Sequence, residues 1–176
     1  MGIVSVSKFT GKNKRASHTI NSLVHRKVKF DWMNTPLEWI PGQPFASHFI
    51  NEINTILPAG EFWFCRLYNK ALPLVTDEKL REDVQLFIRQ EAMHARAHGS
   101  AIAEYLKAHN VDTDRNTKIM DLLFDQLLAD EPLGMKVPQL LEKRWLLTRL
   151  GLVATIEHMT CVLGNYVLRN KTWDEV

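Results

Sequence analysis

The sequence predicts an all-α fold, a bundle of four to five helices joined by short connections. Three observations predict it. No Gly or Pro interrupts the chain from Thr76 to His98, and from Pro138 to about Arg169 only Gly151 and Gly164 do. In both stretches apolar residues recur at alternating steps of three and four, the spacing of one packed helix face. No segment between them has the length and alternation of a convincing strand.

Residues 1–25 read as a basic arm ahead of a helical domain, residues 26–176. Residues 1–30 hold seven Lys/Arg and no acid, leaving 15 basic residues against 20 acidic ones in the rest of the chain. Such an arm is a solvated terminus unless a partner orders it. No aromatic platform is interleaved with its charges, so no nucleic-acid partner is expected. Residues 26–32 alternate and suit a short extended piece. Asn34-Thr35-Pro36 and Ile40-Pro41-Gly42-Gln43-Pro44 are loop punctuation.

Helical periodicity opens near Phe45 and runs through Phe49, Ile53 and Ile56. Pro58 and Gly60 then imply either a kink or a break with a restart. An aromatic stretch follows from Glu61 to about Leu72, with Phe62, Trp63, Phe64 and Tyr68. Thr76-Asp77-Glu78 supplies a cap with acids in the first turn, and the helix it opens reaches Ala108. Asp112-Thr113-Asp114 can cap a shorter helix through Leu128, which Glu131-Pro132-Leu133-Gly134 ends. Pro138 suits the first turn of the last helix.

Composition narrows the class. With 176 residues, 45% hydrophobic and 24% charged, the chain suits one globular domain with a sizeable core. Its two cysteines, Cys65 and Cys161, argue against a disulfide scaffold. They fit small buried hydrophobes in a reducing cytoplasm. No unbroken apolar run reaches about 18 residues, so no transmembrane segment is expected. The first residues suit neither myristoylation nor a secretory signal.

Glu91 and His94 stand i, i+3 on the central helix and project side by side. Val84, Phe87, Glu91, His94, His98, Ala101 and Tyr105 form one seam, so a carboxylate and two imidazoles occupy core-facing positions. An unpaired charge is costly there. A metal ion removes that cost by binding carboxylate and neutral imidazole together. Glu-x-x-His alone is common on exposed helices; two further acids strengthen it. Glu157 sits in the seam Leu146, Leu150, Val153, Glu157, Thr160, Gly164 and Val167. Glu61 heads the face that continues through Phe64, Cys65, Tyr68 and Leu72.

His98 follows one turn beyond His94, as a third ligand, as a neighbour that fixes ligand geometry or as a satisfied core histidine, the last two favoured. His158 points about 100° off its seam. His18, His25, His48 and His109 sit in unpatterned context and read as surface residues. Phe62, Trp63 and Phe64 are core residues or the walls of an apolar pocket. Neither cysteine has a Gly-rich elbow beside it, so serine- or cysteine-type catalysis has no support.

One acid, then Glu-x-x-His, then another acid on successive helices resembles the ferritin-like di-metal carboxylate proteins. The chain is more closely similar to the bacterial family of predicted metal-dependent hydrolases, itself ferritin-like in ligand pattern. The matching pieces are Arg26-Lys27-Val28-Lys29-Phe30, Leu57-Pro58-Ala59-Gly60-Glu61-Phe62-Trp63-Phe64, Phe87-Ile88-Arg89-Gln90-Glu91 with His94 and His98, and Thr155-Ile156-Glu157-His158. The resemblance implies Glu61, Glu91, His94 and Glu157 as ligands of a divalent metal, iron first, with zinc or manganese as alternatives. His98 or an unoccupied carboxylate oxygen is the expected proton acceptor. Such proteins carry a second Glu-x-x-His. Here 19 residues follow Glu157 and none supplies it. The expectation is a bundle lacking its last ligand-bearing helix, as the N-terminal part of a longer protein or with a site for one metal instead of two.

The resemblance implies metal-dependent hydrolysis of a small-molecule substrate, an apolar one if the aromatic stretch lines the site. A homodimer is the candidate assembly. A carboxylate-rich site also suits a di-iron oxygen-activating oxidase or hydroxylase. A non-catalytic bundle whose polar residues fix helix register is the third reading.

Overall fold

The computed structural model describes residues 31–32 and 34–170. The basic arm, most of the extended piece at 26–32 and the acids Asp174 and Glu175 lie outside the described residues. Among those described, the chain is helical without strands, as the sequence predicts.

Helix α1 spans Pro44–Ala71, with Pro at its first position. It passes through Pro58 without a break. Proline removes one backbone bond there, while tertiary contacts hold the helix on both sides of it. Asn51 and Thr55 are buried before Pro58, and Glu61, Trp63 and Phe64 after it. A single-turn 3₁₀ segment, Leu72–Leu74, leads to helix α2, Glu78–Ser100. The Asp77 carboxylate caps α2, accepting from the Leu80 N–H at 2.8 Å. A π-helical stretch, Ala101–Leu106, extends it, and Asn110 ends the run with a φ of 58°.

Helix α3 spans Asp114–Asp121 and widens into a π-helical stretch, Leu122–Leu127. Helix α4 spans Gln139–Arg169. The helical elements thus start and stop close to where the sequence places them.

Helices α1 and α2 are antiparallel. Tyr68 meets Phe87 edge-on at 5.4 Å, and Asn51 meets Tyr105 at the other end. The core joins α1, α3 and α4 through Trp63, Phe64, Leu67, Phe124, Leu146 and Val153. Gly60 permits the approach of α3, since a Cβ there would lie 3.2 Å from the Phe124 ring. The Leu128 carbonyl, exposed by the end of α3, accepts from Trp63 Nε1 at 2.9 Å and Arg149 Nη1 at 3.2 Å. Arg149, 3% exposed, also bonds Asp130 at 2.7 Å and lies over the Trp145 ring.

Two expectations need correction. His109 is partly buried, with Nε2 2.9 Å from the Thr35 carbonyl and its ring edge-on to Tyr105. Cys65 is buried, but Cys161 is exposed on α4. Helix α4 is long and apolar enough to cross a membrane by length and composition alone, with a mean hydropathy of 1.4 over 18 residues. Arg149, Gly151, Glu157 and His158 interrupt it, so no unbroken apolar run reaches that length although the average stays apolar. Its seam is buried at Leu146 and Val153 but exposed at Thr160, so burial fades along the helix.

Candidate metal centre

Helical register brings the polar groups together. On α1, Asn54, Glu61 and Tyr68 follow at steps of seven and fall on one line facing α2. On α2, Glu91, His94 and His98 form the opposing line, and α4 adds Glu157.

One donor atom from each of Glu61, Glu91 and His94 lies within 4.8 Å of the others. Glu61 and Glu91 are 6% and 4% exposed, whereas His94 is partly open to solvent. His94 Nδ1 is 3.5 Å from Glu91 Oε1, and His98 Nε2 is 3.8 Å from Glu61 Oε1. Glu157 stands outside the tight group of three, on the partly exposed side, yet close enough for its charge to act on Glu61. The other end of His98 is held more firmly, with Nδ1 2.7 Å from Asn54 Oδ1.

The electrostatics are those of crowded, buried acids. Burial first, then the charges of Glu91 and Glu157, push the Glu61 carboxyl up to about 9. Glu157 is raised by burial and then by Glu91, with His94 opposing. His94 is raised chiefly by the Glu91 carboxylate beside it. His98 is lowered, mainly by burial and then by His94. The Cys65 thiol, on the adjacent face of α1, rises to about 11 through burial, then Glu91 and Glu61. Tyr68 is raised by burial, then by the charges of Glu157 and Glu91.

The donor set fits a divalent cation. Glu61 Oε2 is buried with no hydrogen-bond partner among the described residues, a costly state for a carboxyl oxygen. Two carboxylates and an imidazole, with donor atoms within 4.8 Å of one another, are the ligand types that iron, zinc or manganese accept. His94 and Glu157 lie on the side from which solvent and a small molecule could approach.

The larger cavities lie elsewhere. One of about 360 Å³ lies between α1 and α3, lined by Trp63, Phe124 and Arg149 among others. Another of about 620 Å³ lies beside Trp32, Tyr105 and His109. Neither is lined by Glu61, Glu91 or His94. Trp63 and Phe64 are core residues, each 2% exposed, and Trp63 also lines the first of these cavities, while Phe62 faces outward.

Asn54 is the residue that sequence reasoning missed. Its spacing of seven from Glu61 was the available signal, an amide repeating the phase of a carboxylate. His158 is exposed, as its register predicts.

The profile of a family described as predicted metal-dependent hydrolase matches residues 24–176. No curated protein and no solved structure matches the chain.

Proposed function

We propose that this chain, which belongs to the family of predicted metal-dependent hydrolases, binds a divalent metal through Glu61, Glu91 and His94, with Glu157 completing the ligand set, and hydrolyses a small molecule there. The observation that carries the reading is the convergence of two buried carboxyls and an imidazole within 4.8 Å, in a chain that matches a metal-dependent family.

When bound, the metal would lower the pKa of a water and polarise the scissile group. The protein's part is positioning and proton handling. Glu61 and Glu91 are held by burial between α1 and α2, which limits their motion and excludes competing water. His94 and Glu157 complete the set from the solvent side. His98, neutral because burial lowers its pKa, takes the proton from the attacking water at Nε2. Iron is the first candidate metal because three carboxylates outnumber the imidazoles close to them.

That carboxylate excess also favours a second reading, an oxygen-activating oxidase or hydroxylase. Loading the purified chain separately with zinc, manganese and ferrous iron separates the two. Turnover of an ester and phosphoester panel without oxygen consumption supports hydrolysis. Oxygen uptake by the ferrous form, with no hydrolysis by any form, overturns it in favour of the second reading.

A further inference from the structure

The line Ile50, Asn54 and His98 orients an imidazole by hydrogen-bonding logic alone. Asn54 Nδ2 lies 3.3 Å from the carbonyl oxygen of Ile50, one turn earlier in α1. A carbonyl only accepts, so the amide must turn its NH₂ toward it. The amide oxygen then faces α2, where it meets His98 Nδ1 at 2.7 Å. An amide oxygen also only accepts, so Nδ1 must carry the hydrogen. Neutral imidazole has one N–H, which leaves Nε2 with its lone pair free. That nitrogen faces Glu61, 3.8 Å from Oε1.

We propose that Asn54 is a positioning residue. Anchored by the Ile50 carbonyl, it locks His98 in the Nδ1–H tautomer and aims the bare Nε2 at Glu61. The consequence for chemistry rests on the function proposed above: an imidazole can take a proton at Nε2 only if Nε2 does not already hold one. The tautomer itself depends on neither metal nor substrate. With Asn54 absent, nothing among the described residues bonds Nδ1, and the Nε2–H form becomes available. It would then place a hydrogen where the proposed mechanism needs a lone pair.

The test is nitrogen-15 NMR of the imidazoles in the full-length, metal-free protein, recorded for wild type, Asn54→Asp and Asn54→Leu. In wild type, His98 is expected to show a protonated Nδ1 and an unprotonated Nε2. Asn54→Asp keeps an acceptor at the same place, so Nδ1 should stay protonated. Asn54→Leu fills similar space without an acceptor, and should swing the tautomer ratio roughly tenfold toward Nε2–H, the worth of one partly buried hydrogen bond. His109, tied to the Thr35 carbonyl, serves as the internal control for folding, and its pattern should not move. A wild-type His98 protonated at Nε2 overturns the proposal, whether or not Asn54→Leu folds. So does an Asn54→Leu variant whose His98 tautomer is unchanged. Failure of the protein to take up metal would overturn the hydrolase reading and leave this result standing.

Discussion

His98 and Glu61 face each other across the α1–α2 interface, with Nε2 3.8 Å from Oε1. The contact is too long for a hydrogen bond. Glu61 Oε2, on the far side of the same carboxyl, is buried without a partner among the described residues. A carboxyl so placed is stable as the neutral acid or as the ligand of a cation, and each state makes a distinct prediction.

The metal-free protein should lose stability as pH rises. The folded pKa of Glu61, about 9, lies above its ordinary value, so the native state holds a proton that the unfolded chain has released. Between the ordinary carboxyl pKa and about 9 the native state binds more protons, and stability falls with pH by up to about 1.4 kcal/mol per unit. Raised pKa values at His94 and Glu157 act in the same direction. Urea midpoints at pH 6, 7 and 8 should therefore fall steadily for wild type. Glu61→Gln should show a flatter profile, because its amide has no proton to lose. Equal slopes would contradict the assignment.

Metal uptake should reverse that dependence. Binding requires Glu61 as carboxylate and His94 as neutral imidazole, and both hold protons more tightly than usual. Zinc binding at pH 7 should therefore release protons, and affinity should rise with pH, by up to about tenfold per unit from Glu61 alone. Calorimetry in buffers of different ionisation enthalpy measures the release directly. Binding without proton release would contradict it.

Much of this arrangement was legible in the sequence, and the limits have physical causes. Helix α2 announced itself through the Asp77 cap and an unbroken run, and Glu91 with His94 through a seam where charge is costly. Whether α1 breaks at Pro58 was not decidable from local pattern. The loss of one backbone bond is outweighed by packing on both sides of it, with residues distant in sequence. Asn54 was missed for a similar reason: its spacing of seven from Glu61 puts it on the right face, but its partner lies 44 residues away and local pattern does not name it. Periodicity also states which face of α4 could be buried, not how far along the helix something covers it. Cys161 and Thr160 are exposed for that reason.

Gly60→Ala should be costly although alanine favours helix. The new Cβ would meet the Phe124 ring at 3.2 Å, in a cluster that Trp63, Leu146 and Val153 leave little room to repack. A loss of about 1–3 kcal/mol is expected, read from the denaturation midpoint. A gain in stability would mean that α3 packs less closely on α1 than described.

Arg149→Met should destabilise the fold without touching the metal centre. The guanidinium holds the Leu128 carbonyl and Asp130, but Trp63 and Lys70 also serve those two acceptors. The loss should be limited to about 1–3 kcal/mol. Zinc affinity should stay within about threefold of wild type, because Arg149 lies two turns before Glu157. A collapse of metal binding would show that the end of α3 and the metal centre are coupled.

The central claim is that these acids and imidazoles exist to hold a metal. Elemental analysis of the purified chain, paired with its melting temperature before and after chelation, addresses it most directly when run beside a Glu91→Ala/His94→Ala double variant. Bound divalent metal in the wild type, a melting temperature that drops on chelation, and neither property in the variant is the predicted result. Metal-free wild-type protein that takes up none on reconstitution, with a melting temperature indifferent to chelator, would contradict it.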